Sequence, residues 1–208
     1  MAPNAHMTRG GAQIALVGTR PGARPGLTDA ELVARARDRD AWAEAAIYQR
    51  HAADVANLAA RLLGSRSDAL DVMQDVFVSA LEELHSLRDP SALRPWLRQR
   101  TVFQVHRIFR RRRWWRIFGR EHARQDAGLD VLATASVSPD QRVELARISA
   151  LLATLPARQR IAWVLHRVEG ETLPETARLC ALSLATVKRD IAAAQAALDA
   201  YTHQEGMR

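Results

Sequence analysis

Apolar residues recur at three- and four-residue steps through most of this 208-residue chain, and nowhere do they alternate residue by residue. A step of three or four lines one face of an α-helix, whereas a half-buried strand needs a step of two. The pattern therefore specifies an all-α fold. Leu32, Val33 and Ala36 begin it, and Trp42, Ala46, Ile47, Val55, Leu58 and Leu62 carry it through a second helix. Thr28 and Glu31 form a capping-box pair ahead of the first helix, and Gly64 suits a C-cap. Asp68 is expected to open a third helix with Leu70, Met73, Phe77, Leu81 and Leu84 as its inward stripe. "RDPSALRP" reads as a loop with Pro90 and Pro95 as breakers, and another helix runs from about Trp96.

The period fails at Gly119 and resumes at Gln141. A chain interrupted in this way is expected to form two small helical domains joined by a flexible linker. The expected boundaries are a disordered tail over 1–27, a first domain over 28–118, a linker over 119–140, a second domain over 141–202 and a short tail over 203–208. In the second block Thr172 and Glu175 suggest another capping box, opening a short helix that ends near Cys180. Ala181–Ser183 is a three-residue turn, and the helix after it turns Leu184, Val187, Ile191, Ala194 and Leu198 to one side. Short helix, turn and longer helix match the helix-turn-helix plan, whose second helix enters the major groove. Thr186, Lys188 and Arg189 in its first turn are the candidates to meet duplex DNA. A plain helical hairpin with a solvated polar face is the alternative.

Charge narrows the partners. The net charge is +7, and Lys188 is the only lysine among 30 basic residues. Between Arg94 and Arg120 stand ten arginines and no acid, which biased composition alone does not explain. Arginine forks onto phosphate and stacks on rings. On the helix from Trp96, Leu97, Thr101, Val102, Val105, Ile108 and Phe109 share one face, and Trp96, Arg100, Phe103, Arg107 and Arg110 share the opposite one. Rings among guanidinium groups suit single-stranded nucleic acid, where bases stack and arginines follow phosphates. Arg111 to Arg113 extend the charge at the helix end. The competing reading packs both rings against a neighbouring helix.

The third helix carries Asp68, Asp71, Gln74, Asp75 and Glu82 opposite its stripe. This acidic face is either solvated or a binding surface. No His or acid cluster accompanies it, so no catalytic centre, metal or cofactor is expected, nor a small-molecule substrate. A lone Cys180 excludes an internal disulfide and a thiolate zinc site. No apolar run approaches a membrane span, and the N-terminal apolar core is short for a signal peptide. A soluble cytoplasmic protein is expected.

Several stretches, in order, resemble the extracytoplasmic-function group of bacterial sigma-70 factors. "DVMQDVF" is similar to the D-x-x-Q-[DE]-x-F signature of region 2. Trp96-Leu97, thirteen residues before the arginine run, matches its promoter-opening segment. "LPARQR" and "GETLPETARLCALSLATVK" resemble region 4. The resemblance covers nearly everything from Asp29 to Leu198 and implies a non-enzymatic subunit that directs core RNA polymerase to promoters and helps melt the −10 element. It implies that Asp71, Gln74 and Asp75 dock on core polymerase. It implies that the loop with Arg88 and Ser91, and the face with Trp96, Arg100, Phe103, Arg107, Arg110 and Arg111, hold the opened −10 strand. Arg158, Arg160, Thr186, Lys188 and Arg189 are implied at the −35 duplex, and an anti-sigma factor, often membrane-bound, is an implied partner. Trp114 and Trp115 have two open assignments, closing the first core or touching polymerase.

The chain also departs from the family. Phe103 and Arg107 stand where Asn and Asp are usual, Asp190 and Ala193 where arginines are usual, and Ala181 where the turn often has Gly. Weak or altered −35 binding is the expectation from Asp190 and Ala193. The rival reading is a stand-alone helix-turn-helix regulator that needs no core polymerase.

Overall fold

The structure, a computed structural model, describes residues 26–117 and 139–205, with side chains over 26–112 and 147–201. The expected tails up to 25 and from 206, the linker up to 138, and the Trp114 and Trp115 side chains lie outside the described residues. Every regular element among the described residues is helical.

Local chemistry sets the ends of these helices. Helix α1 (Asp29–Arg37) starts at a closed capping box, with Thr28 accepting from the Glu31 amide and Glu31 accepting from the Thr28 amide at 2.7 Å. The chain reverses at Arg39, a non-glycine residue with φ 62°. Asp40 then caps α2 (Ala41–Leu63) by accepting from the Trp42 amide at 3.0 Å. Gly64 ends α2 in the left-handed region expected of a C-cap, at φ 68°. Ser65, rather than Asp68, caps α3 (Arg66–Glu82), accepting from the Asp68 amide at 3.3 Å. Asp68 lies inside the first turn, where its charge meets the positive end of the helix dipole.

Two single 3-10 turns, Leu84–Ser86 and Pro90–Ala92, lead into α4 (Leu93–Ile117). Pro95 therefore does not break this helix. It lies in the first turn, where a missing N–H forfeits no helical bond. The inward side of α3 also differs from the expected stripe. Ala69, Val72, Val76, Phe77 and Ala80 are buried, while Leu70 is 51% exposed. Two adjacent stripes are apolar here, and small residues on one of them let α3 lie close on α2.

The second block begins at Pro139, two residues before the expected Gln141, with α5 (Pro139–Thr154). Helix α6 (Ala157–Trp163) continues as a π turn, Val164–Val168, before α7 (Leu173–Cys180) and α8 (Leu184–Glu205). Thr172 caps α7 by accepting from the Glu175 amide at 3.3 Å. The Glu175 carboxylate turns to Arg178 at 3.0 Å, so the second capping box stays half made.

Helix α2 packs against α1, α3 and α4, and α8 against α6 and α7. Leu32, Ile47, Leu58, Leu62, Val72, Val76, Leu93 and Leu97 are at most 1% exposed, each large apolar side chain contributing ~1.5–3 kcal/mol by burial. The core does not stop at the first block. Leu152, Ile161, Val164, Leu165, Leu179, Cys180 and Leu198 belong to the same continuous apolar cluster. Helices α6 and α7 accordingly lie against α4, and the two blocks are docked on each other.

Candidate nucleic-acid interface

Helix α4 separates its two faces as its sequence requires. Leu97, Thr101, Val102 and Val105 are at most 1% exposed, and the Thr101 hydroxyl is satisfied by donating to the Leu97 carbonyl at 2.8 Å. Opposite them, Phe103 is 62% exposed, and Arg107, Arg110 and Arg111 face solvent. Trp96 and Arg100 do not share that freedom. The Arg100 guanidinium lies 4.1 Å over the Trp96 ring and pairs with Glu83 at 2.6 Å. A hydrogen bond from Arg100, and then its charge, hold the Glu83 carboxyl below its ordinary range. The pair thus covers one face of Trp96 and fixes its ring, leaving Phe103 as the open aromatic surface.

The loop before α4 is tied down by Arg37, which donates to the carbonyls of Leu84 and Leu87. Arg88 and Ser91 are exposed on it. The Ser91 hydroxyl donates to Asp89 at 2.6 Å, closing a turn that presents Arg88 outward. On α3, Asp71, Gln74 and Asp75 are exposed together with Leu70. A leucine bare among acids is suited to a protein partner that offers both apolar and basic groups. Its outward position could not be read from periodicity, because Leu70 fits the inward stripe equally well.

In the second block the helix-turn-helix is built as its sequence indicated. Ala181 takes φ 53°, the left-handed conformation that favours glycine. Ser183 caps α8 by accepting from the Thr186 amide at 3.2 Å. Val187, Ile191, Ala194 and Leu198 are buried, though Leu184 is 41% exposed. Lys188 and Arg189 stand exposed in the first turns and Thr186 is half-buried beside Ser183.

Asp190 corrects an expectation. Its side chain is 3% exposed and pairs with Arg158 Nε at 2.7 Å, so it points into the block and not toward a duplex. Arg158 is correspondingly engaged. Arg160 is 4% exposed, wedged against Gly64, with its guanidinium 5.7 Å over the Phe109 ring. Burial, and then the Arg112 charge, bring it down to about 10. Of the five residues expected at the −35 duplex, Lys188 and Arg189 are exposed, Thr186 is half-buried, Arg158 is exposed but paired with Asp190, and Arg160 is buried.

Four charged residues that carried no expected role bridge the blocks. Arg61 pairs with Glu169, and Arg98 Nη2 reaches Glu169 at 3.1 Å and Glu171 at 2.9 Å. Arg98 also approaches Asp54 at 3.6 Å. Charged side chains on helix surfaces carry no periodic signal, so these pairings were not legible. Among the described residues no group of three or more His, Cys, Asp or Glu side chains could hold a metal ion, and no helix is long and apolar enough to cross a membrane.

Sigma-70 region 2 matches residues 47–115 and Sigma-70 region 4 matches residues 145–198. The RNA polymerase sigma factor CnrH of Cupriavidus metallidurans is 31% identical over 178 residues, covering 83% of this chain and 93% of CnrH. The ECF RNA polymerase sigma factor SigM of Mycobacterium tuberculosis is 30% identical over 178 residues, covering 85% of this chain and 86% of SigM. Among solved structures, CnrH in complex with the cytosolic domain of CnrY aligns with a TM-score of 0.58 at 26% identity, over 85% of this chain and 97% of that one. The sigma factor RpoE in complex with the anti-sigma factor NepR from Bartonella quintana shares the fold, with a TM-score of 0.55 at 21% identity over 73% of this chain and 91% of that one. The sigma factor family is not an enzyme family. The chain belongs to the sigma-70 family of RNA polymerase sigma factors, within its extracytoplasmic-function group.

Proposed function

We propose that this sigma factor divides its work among three surfaces. Leu70, Asp71, Gln74 and Asp75 on α3 dock on core RNA polymerase. Phe103, Arg107, Arg110 and Arg111 on α4, with Arg88 and Ser91 on the preceding loop, hold the non-template strand of the opened −10 element. Trp96, half-buried against the core, serves there by holding Arg100 over its ring. Thr186, Lys188 and Arg189 on α8 meet the −35 duplex. The observation that carries this reading is α4 itself, with Leu97, Thr101, Val102 and Val105 at most 1% exposed on one face and Phe103 bare beside the exposed Arg107 and Arg110 on the other. Each stacked base contributes ~1–3 kcal/mol, which offsets a cost of a few kcal/mol for unstacking. The chain contributes binding energy and no chemical step, and it works in the cytoplasm beside its polymerase.

An anti-sigma factor belongs in this reading as a partner, since the solved relatives CnrH and RpoE are held by CnrY and NepR. Run-off transcription with core polymerase tests the whole assignment. The wild type is expected to give a promoter-dependent transcript, and Asp75→Arg to lower it at least tenfold without loss of helicity. A wild type that binds promoter duplex alone but never supports a transcript would overturn it in favour of a stand-alone regulator.

A further inference from the structure

We propose that a groove along α8 binds a small amphipathic anion, a carboxylate on a short apolar body, which competes with the −35 duplex for Lys188. The site stands on its own geometry, and only its effect on DNA rests on the reading just given. The groove lies between α8, the start of α7 and the π turn that continues α6. Its volume is about 440 Å3, within the ~300–1,000 Å3 of small-molecule sites. All the residues that line it belong to the second block.

The floor is apolar. Ile191, 6% exposed, and the half-buried Leu173 belong to a small core with Ala162, Ala177 and Val187. Ala192 and Ala196 extend this surface along α8, exposed and too small to fill the groove themselves. The charge around it is mostly positive, from Arg167, Lys188 and, when protonated, His166. Arg158 and Arg178 of the same block are matched to Asp190 and Glu175, whereas neither Arg167 nor Lys188 has a carboxylate partner among the described residues. The one acid on the lining, Asp199, stands about three helical turns along α8 from Lys188.

The polar groups are held in place before any ligand arrives. Gln195 donates to Asp199 at 2.9 Å and accepts from the Trp163 indole at 3.0 Å. His166 Nδ1 lies 2.8 Å from the Glu171 carbonyl, which can only accept, so Nδ1 carries the proton. Nε2 is left to accept a hydrogen bond, or to donate one when the ring is charged. His166 and Arg167 sit on the π turn itself, which the Glu169 amide closes by donating to the Val164 carbonyl at 3.0 Å. Single π turns are rare in helices and recur at functional sites.

This combination selects the ligand class. Inorganic phosphate makes no use of the floor, and exposed ion pairs alone contribute little. A neutral apolar molecule leaves Arg167 and Lys188 unmatched. A carboxylate with a short apolar body satisfies both. Its charge then occupies Lys188, which is withdrawn from DNA, and linkage makes that antagonism reciprocal.

Anilinonaphthalene sulfonate, whose fluorescence rises in apolar sites, and octanoate are the aromatic and aliphatic probes, applied to the full chain. The sulfonate is expected to bind saturably. Octanoate should displace it about tenfold more effectively than octylamine or inorganic phosphate does. Arg167→Gln, at an exposed position, should weaken octanoate about fivefold, and Ala196→Trp should abolish its binding by filling the groove. Saturating octanoate should weaken promoter-duplex binding about threefold in the wild type and leave Ala196→Trp unaffected. Helicity by circular dichroism checks that each variant is folded, and Ala196→Leu replaces the tryptophan variant if it is not. No displacement by octanoate, equal displacement by octylamine or phosphate, or unchanged octanoate binding in both folded variants overturns the site. Octanoate binding without loss of duplex affinity overturns the competition for Lys188. The probe titrations need neither polymerase nor promoter, so their failure is separate from that of the transcription test.

Discussion

At the residue scale, Asp190 shows how a single direction changes a functional inference. Its place beside Lys188 and Arg189 makes it look like a repulsive charge at the duplex. In three dimensions its side chain is 3% exposed and receives Arg158, which comes from a helix 32 positions earlier. No pattern local to α8 could reveal that partner. Replacing Asp190 is therefore a stability experiment. Arg158 is 52% exposed, so its attraction is partly screened, and Asp190→Asn is expected to cost about 1–2 kcal/mol. Asp190→Arg puts a second cation into the same buried site and is expected to cost about 3 kcal/mol or more. Urea denaturation checks both, and a wild-type midpoint for Asp190→Asn would remove the structural role. Ala181 is the opposite case, since the glycine usual at this turn in the family pointed to a positive φ, and it takes φ 53°.

At the element scale, α4 combines what periodicity reveals with what it misses. Its inward face was legible because Leu97, Val102 and Val105 follow the helical step, and a helix can bury only one side of such a stripe. The division of labour on the other face was not legible. Trp96, Arg100 and Phe103 look equivalent on a helical wheel, but Glu83, on the preceding segment, takes Arg100 and thereby fixes Trp96. Phe103 alone remains bare, 62% exposed. Phe103→Ala is accordingly expected to leave thermal stability within about 0.5 kcal/mol, as for a surface position. It should weaken binding of a single-stranded −10 oligonucleotide, presented with core polymerase, by ~1–3 kcal/mol, a loss of roughly five- to 150-fold. Phe103→Tyr should keep most of that affinity because the ring face is preserved. If Phe103→Ala binds the oligonucleotide as the wild type does, stacking on this helix is refuted.

At the scale of the whole molecule, the fold class and the helix order follow from the spacing of apolar residues, whereas the docking of one block on the other does not. An amphipathic pattern says which side of a helix is buried but not against which helix. Leu152, Leu165 and Leu179 serve a local core and a shared one with the same spacing. The bridging charges look like solvated surface until Arg98 is seen between Glu169 and Glu171. This arrangement makes a prediction about cooperativity. Two independent helical units unfold at their own denaturant midpoints, whereas units that share buried surface open together. Hydrogen exchange in rising urea, followed on peptides from α2 and α6, is expected to give one common midpoint for the wild type. Glu169→Gln removes a buried charge shared by two arginines, so the α6 midpoint should fall below the α2 midpoint while α2 moves little. The asymmetry is expected because α2 keeps α1, α3 and α4 around it, whereas α6 loses α4 and retains only its own block. Separate midpoints already in the wild type would mean that the shared cluster contributes too little to couple the blocks, and the docked conformer would then be a minor state.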